Sequence, residues 1–440
     1  MTSYSILHYL LMPLVLARLF WRGIKAPAYR ERWRERFGFG SFLAPGEPRI
    51  WIHAVSVGEA QAAAPIARAL RARYPNMQIL VTTTTPTGAA HVAATLGATV
   101  EHRYIPYDLP DCVGRFLARV SPSLLLIMET ELWPNILHAC RKRSVPVLLV
   151  NARLSARSAR AYGRVGRATR AILANISMIA AQHREDAERF IALGADPKRV
   201  QVTGSIKFDI DLSPDAREEG RIMRRYWGAD RPVWIAASTH EGEEERILEA
   251  FSAMRAAIPH CLLILVPRHP ERFSKVDALA RRRGYRTLLR SRLLEDAPSF
   301  PEPNASVDHA EIDVFIGDTM GELPLLYAAA DVAFVGGSLV SVGGHNMLEP
   351  AALGIPILFG PHVFNFMEIA RNLCENGGAK QVETETALSS ALAALLRDAD
   401  ARHDMGRKAE AFVQGNRGAL DKVMGLVADL YEPAFPVTSR

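Results

Sequence analysis

Residues suited to chemistry concentrate between Gly336 and Pro361. Gly336-Gly337-Ser338, Gly343-Gly344-His345-Asn346-Met347-Leu348-Glu349-Pro350, Gly354-Ile355-Pro356 and Gly360-Pro361 follow one another there. Glycines let a backbone approach a ligand closely. A helix amino end offers unpaired N–H groups and partial positive charge to a phosphate. The apolar run Val332 to Val335 reads as a buried strand feeding the Gly-Gly-Ser turn, and a helix is expected to start at Asn346. Glu349 then falls in its first turn, an acceptor suited to a ribose hydroxyl. The arrangement reads as a nucleotide site at the carboxyl edge of a parallel sheet.

A second group of residues offers carboxylates. His53-Ala54-Val55-Ser56-Val57-Gly58-Glu59 follows a strand-like run and opens a helical pattern. Glu59 near a helix amino end can stay ionised and accept a proton from a hydroxyl; it is equally an ordinary first-turn acid. Glu129-Thr130-Glu131-Leu132-Trp133-Pro134-Asn135 follows the strand-like Leu124 to Met128. Glu129 and Glu131 point the same way only if the chain is still extended there. Asn151-Ala152-Arg153-Leu154-Ser155 and Gly204-Ser205-Ile206-Lys207-Phe208-Asp209 end two further runs. Asp209-Ile210-Asp211 matches a metal-binding D-x-D pattern but falls in a presumed linker, and His240, His269 and His362 lack metal-ligand spacing. Neither a metal nor a cofactor is expected. His269 and His345 read as hydrogen-bonding residues of a cleft.

The elements that must hold these groups alternate. Strand-like runs at Ile50–Val55, Ile79–Thr84, Leu124–Met128, Val147–Val150, Met178–Ala181 and Val200–Thr203 are separated by helical patterns such as Ala60–Arg73. The second half repeats this at Val233–Ala237, Leu262–Val266, Val314–Ile316, Val332–Val335 and Ile357–Phe359. The pattern is α/β, with two doubly wound, Rossmann-like domains, and the length of 440 residues agrees. Two such domains facing across a cleft without G-x-G-x-x-G is the GT-B arrangement. Boundaries are placed at 1–25 for a membrane anchor, 26–208 for an acceptor-binding domain and 209–440 for a nucleotide-sugar domain. The stretch Asp209 to Pro232 reads as a linker plus a helix, and Arg290 to Asp313 as a variable loop. The final helix, around Ala401 to Leu430, is a candidate to cross back to the first domain.

Composition narrows the class. The chain is 49% hydrophobic and 23% charged, with net charge +6. Its four cysteines, Cys112, Cys140, Cys261 and Cys374, form no C-x-x-C pair and suit a reducing compartment. Residues 4–21 are almost wholly apolar, interrupted by His8, Pro13 and Arg18, and are followed by Arg22, Lys25, Arg30, Arg32, Arg34 and Arg36. No small-residue cleavage site follows, so an anchor is expected rather than a cleaved signal, either a short span or an interfacial helix. The basic flank assigns the rest of the chain to the cytoplasmic side.

Arg153, Arg157, Arg160, Arg164 and Arg167 would share an arc of about 80° on one helix. No acid occurs between Asn151 and Arg184. A plain solvated face is the ordinary reading; without compensating acids, the stripe favours a polyanionic partner such as anionic headgroups. Nucleic acid is not expected, since no aromatic stacking platform accompanies the arginines.

These segments, with Ser238-Thr239-His240-Glu241-Gly242-Glu243, Pro267-Arg268-His269-Pro270-Glu271-Arg272 and Gly317-Asp318-Thr319-Met320-Gly321-Glu322-Leu323, resemble the 3-deoxy-D-manno-octulosonic acid (Kdo) transferases over nearly the whole chain. Met347 departs from the proline of some members, at a first-turn position where proline is tolerated but not required. The resemblance implies transfer of Kdo from CMP-Kdo to the lipid A precursor at the cytoplasmic face of the inner membrane, by an inverting GT-B enzyme. It implies Glu59 as general base, and Glu131, Arg153 and Lys207 as positioning residues. It implies Arg268 on the donor's phosphate or carboxylate, and Gly317, Thr319, Met320 and Gly321 around cytosine. Gly337 and Ser338 would cradle the phosphate, with Asn346 and Glu349 on phosphate and ribose. A GT-B enzyme using a UDP-sugar is the alternative that the glycine-rich segment alone does not separate.

Overall fold

The computed structural model describes residues 2–40, 48–210, 212, 215–296 and 312–432. Asp211 of the D-x-D pattern and residues 297–311 of the expected variable loop lie outside them. The chain divides into two units, one of Met1–Asp209 with Arg417–Arg440, the other of Ile210–Asn416.

In the first unit, β1 (Arg49–His53), β2 (Gln78–Thr83), β3 (Glu101–Tyr104), β4 (Leu124–Met128), β5 (Val147–Ala152), β6 (Met178–Ala181) and β7 (Val200–Val202) form one parallel sheet in the order β3-β2-β1-β4-β5-β6-β7. Its inner strands read as largely apolar runs because both faces are covered. Ile50, Ile52, Leu124 and Leu126 enter the core on one face, while Trp51, Leu125 and Ile127 enter the core on the other. The strand order reverses between β1 and β4, which pair Ile52 with Leu126. Crevices form at such a reversal, on the carboxyl side of the strands.

The second unit repeats the plan. Strands β8 (Val233–Thr239), β9 (Leu262–Pro267), β10 (Thr287–Leu289), β11 (Val314–Ile316), β12 (Val332–Val335), β13 (Ile357–Phe359) and β14 (Ala379–Gln381) run parallel in the order β10-β11-β9-β8-β12-β13-β14. Here the reversal lies between β8 and β12, where Ala237 pairs with Val335.

Three strands, β3, β10 and β14, escaped the sequence reading. Each is a sheet edge of three or four residues with partial exposure, so none carries a buried apolar run. The expected loop at Arg290 begins instead as a helix, Arg290–Asp296. The expected single C-terminal helix is two, Ala399–Asn416 and Ala419–Tyr431, broken at Gly418 with φ +93°. The break coincides with the return of the chain to the first unit. There the carboxylate of Asp209 accepts the Gly418 and Leu420 N–H groups, both at 2.6 Å, satisfying orphan donors at the start of the last helix. The last helix is anchored to the helix Val57–Arg73 by Tyr74–Tyr431 ring contact and by Glu432, which takes Tyr74 Oη at 2.8 Å and Arg73 at 2.9 Å.

The arginine stripe does not lie on one helix. Arg153 precedes the helix Ala156–Arg164, and Arg167 belongs to a second helix, Gly166–Leu173. The break at Val165, flanked by Gly163 and Gly166, ends the common arc.

Candidate active site

Glu59 sits where the fold concentrates ligands, just beyond β1 at the strand-order reversal. Ser56 caps the helix Val57–Arg73 by accepting the Glu59 N–H at 3.3 Å. The Glu59 carboxylate turns back to accept the Val55 N–H at 2.8 Å and the Ser56 hydroxyl at 3.0 Å. This is close to a capping box, so the first-turn role and a chemical role coexist in one side chain. Glu59 is only 6% exposed. Burial pushes its carboxyl up to about 7, against the Val55 N–H, and the charges of Glu129 and Glu131 add to the rise. A carboxylate with that pKa is an effective proton acceptor near neutrality.

Glu129 follows β4 with φ +56°, so the chain is no longer extended there. Glu131 accepts Trp133 Nε1 at 3.0 Å, and burial raises its carboxyl. Trp133 stands edge-on to His53, whose Nδ1 lies 3.0 Å from Thr82 Oγ1. Burial lowers His53 to about 3, so it is neutral at pH 7. Arg153 and Lys207 are exposed. Lys207 lies in a short turn fixed to β5, because Asn151 Oδ1 accepts the Ile206 N–H at 3.2 Å.

The second unit holds a different kind of site. The Gly336-Gly337-Ser338 turn follows β12 as expected, but its amides are not open to a phosphate. Glu243, fully buried, accepts the N–H groups of Gly337 at 2.7 Å, Ser338 at 3.0 Å and Leu339 at 2.9 Å, and that of His240 at 3.2 Å. The Ser338 hydroxyl donates to Val335 O and accepts the Gly360 N–H, so it fastens two turns together. The expected phosphate cradle is thus not formed by the N–H groups of Gly337 and Ser338, which Glu243 already holds. Glu243 belongs to a segment quoted from the sequence without a role. Its only local signal was an acid following a strand end at a helix start.

Over this turn the imidazoles of His240 and His345 meet, Nε2 to Nε2 at 2.7 Å, with ring planes 4° apart. One ring donates and the other accepts. Gly337, at φ +67°, makes room, since a Cβ there would stand 3.0 Å from His345 Nε2. Burial lowers both histidines, His345 to about 4, and the charges of Arg268 and His269 lower them further. Arg268 itself is exposed and leaves β9 with its N–H on Thr239 O at 3.0 Å.

The helix expected from Asn346 is a short turn, Leu348–Ala352. Asn346 precedes its N-cap, Met347, with Oδ1 accepting the Leu348 N–H at 3.1 Å and Nδ2 donating to Glu349 Oε1 at 3.0 Å. Burial raises the Glu349 carboxyl, while Asn346 and the Arg268 charge oppose the rise. After β11, Gly317 is buried, with a Cβ position only 2.8 Å from Leu326, while Met320 is 65% exposed and Gly321 turns at φ +86°. The Thr319 hydroxyl is taken by Glu322, which also pairs with Arg290 at 2.7 Å. Among the described residues, no group of three or more acidic, histidine or cysteine side chains could hold a metal.

Comparison with known proteins agrees with this architecture. A family model described as 3-deoxy-D-manno-octulosonic-acid transferase matches residues 31–210, and one described as glycosyl transferases group 1 matches residues 309–412. The 3-deoxy-D-manno-octulosonic acid transferase of Haemophilus influenzae is 42% identical over 431 residues, covering 98% of each chain. That of Bordetella pertussis is 40% identical, covering 90% of each. The crystal structure of Acinetobacter baumannii MurG matches with TM-score 0.53 at 14% identity, over 87% of this chain and 99% of that one. The UDP-GlcNAc 2-epimerase of Neisseria meningitidis gives 0.52 at 13%, over 87% and 100%. At such identities the likeness concerns the fold alone, here GT-B. On its similarity to relatives along nearly their whole length, the chain belongs to the 3-deoxy-D-manno-octulosonic acid (Kdo) transferase family of glycosyltransferases.

Proposed function

We propose that the chain transfers Kdo from CMP-Kdo to the lipid A precursor, with inversion, at the cytoplasmic face of the inner membrane. The observation that carries this reading is Glu59, a buried carboxylate held by Val55 and Ser56 with its carboxyl pushed up to about 7. An acceptor hydroxyl gives its proton to Glu59 as its oxygen bonds to the anomeric carbon. The bond from that carbon to the CMP phosphate oxygen breaks, and CMP leaves with the electron pair. Glu131, Arg153 and Lys207 position the substrates, with Lys207 on an anionic group.

The donor belongs to the second unit. With the glycine-turn amides filled by Glu243, the phosphate falls to Arg268 and the His240–His345 pair, beside Asn346. Glu349 takes the ribose hydroxyls, and the backbone of Gly317, Thr319, Met320 and Gly321 takes cytosine. Incubation with tetraacyl bisphosphorylated glucosamine disaccharide and freshly generated CMP-Kdo will give products heavier by one or more Kdo units in mass spectrometry. No mass gain from protein that still binds CMP would overturn the acceptor assignment. A melting-temperature rise with UDP and none with CMP would favour a UDP-sugar donor.

The acceptor and the anionic membrane surface are met by the basic face after β5. Arg157, Arg160, Arg164 and Arg167 are exposed, and none has an ion-pair partner among the described residues. Arg157→Ala with Arg160→Ala will weaken co-sedimentation with phosphatidylglycerol vesicles several-fold at low salt and far less at high salt, because the Debye length falls from about 30 Å at 0.01 M to about 3 Å at 1 M. Unchanged binding of the variant at both salts would mark those arginines as an ordinary solvated face.

A further inference from the structure

The helix Thr2–Lys25 is long and apolar enough to span a bilayer, with the candidate segment Ser3–Lys25. We infer that it does not cross, but lies in the membrane surface with both of its ends on the side that holds the first unit. This rests on the membrane reading above and decides a point that the apolar run leaves open.

The beginning of the helix is fastened to the first unit. Ser5 Oγ donates to Asn135 Oδ1 at 3.0 Å, and both residues are buried. The Tyr4 hydroxyl bonds to Asp108, whose carboxylate also accepts the Asn135 N–H at 3.0 Å and the Ile136 N–H at 2.8 Å. One turn further on, Tyr9 Oη donates to Asp111 Oδ1 at 2.6 Å. The chain that follows the helix returns to the same unit at the short turn Trp33–Phe37. Glu35 accepts the Tyr104 N–H at 2.9 Å, Arg36 Nη2 donates to Thr84 O at 2.9 Å, and Arg36 O accepts the Tyr107 N–H at 2.7 Å.

A helix of this length measures about 36 Å, and a span needs about 30 Å of hydrocarbon between its ends. Spanning would carry Ser5 and Arg22 to opposite faces of the bilayer. The contacts to Asp108, Asp111 and Asn135 would all be lost, leaving buried polar groups unsatisfied.

From its second turn to its end the helix offers apolar side chains to lipid. Leu10, Leu14, Phe20, Trp21 and Ile24 are each at least 60% exposed. Lys25 Nζ lies 5.1 Å from the Trp21 ring centre, and the Arg30 guanidinium lies 4.4 Å from that of Phe20. Aromatic rings backed by cations match the headgroup layer of an anionic leaflet. Asp108 and Asn135 follow β3 and β4, on the carboxyl edge of the sheet that also carries Glu59. The helix thus holds that edge near the lipid surface, where a lipid-linked acceptor presents its hydroxyl.

The test uses Ser3→Cys and Glu31→Cys, both exposed positions, in the full chain with Cys374→Ser; the other three cysteines are buried. An impermeant maleimide is applied to spheroplasts and to inside-out inner-membrane vesicles of a Gram-negative host. Both cysteines will be labelled in the inside-out vesicles and neither in the spheroplasts. Labelling of Ser3→Cys in spheroplasts, with Glu31→Cys labelled only in inside-out vesicles, would establish a span and overturn the inference while leaving membrane attachment intact. Recovery of the protein in the soluble fraction would overturn the membrane reading itself, and the in-plane helix with it.

Discussion

Glu59→Gln will lower the rate of Kdo transfer by on the order of 10³-fold, the usual worth of a positioned proton acceptor, and leave CMP affinity unchanged. The amide keeps the shape and can still accept the Val55 N–H, so the helix start is preserved. It cannot take a proton. CMP affinity survives because the residues proposed for the donor belong to the second unit, which folds around its own sheet. The wild-type pH profile of kcat/KM will fall with unit slope below about 7, where Glu59 becomes protonated, and residual Gln activity will lack that limb. A Gln variant with near wild-type turnover, or one that no longer binds CMP, would sink this assignment.

The same residue makes a stability prediction of definite sign. The folded carboxyl sits near 7, above its ordinary value of 4.5, so the folded state holds more protons between those two values. Stability contributed by this group is present below pH 4.5 and is lost as pH rises through 7. Glu59→Gln removes that loss. Its melting temperature, relative to the parent, will be higher at pH 8 than at pH 4.5. An unchanged difference across that range would mean that burial does not govern the carboxyl.

Glu243→Ala will have the largest effect on the second unit's stability. Four backbone N–H groups converge on this fully buried carboxylate. A buried donor left unsatisfied costs about 1–3 kcal/mol, so the loss is on the order of 5 kcal/mol even with some water entry. That rivals the total stability of many domains, about 5–15 kcal/mol. Amide hydrogens of Gly337, Ser338 and Leu339 will exchange much faster in the variant, and CMP binding will weaken because the turn beneath His345 is released. Glu243→Gln, which retains one carbonyl acceptor, will fall between. Wild-type exchange at those three amides in the alanine variant would refute the clamp.

The sequence by itself determined the α/β class and eleven of the fourteen strands among the described residues. It could do so because strands covered on both faces must be apolar throughout, as at Leu124–Met128 and Val332–Val335, and because glycines and first-turn acids mark strand-to-helix turns. Edge strands such as Glu101–Tyr104 lack that signal, being partly exposed. Glu59 was legible as a first-turn acid, but its pKa was not, since burial comes from residues distant in sequence. Glu243 was illegible for a similar reason. The turn it clamps lies more than ninety positions away, and a Gly-Gly-Ser segment looks open to phosphate until a carboxylate is seen to fill it. An apolar helix likewise announces affinity for lipid. Tertiary contacts such as those of Ser5 with Asn135 and Tyr9 with Asp111 fasten its first turns to the first unit, because hydrogen bonds across 130 and 102 residues are set by the fold and not by the local run.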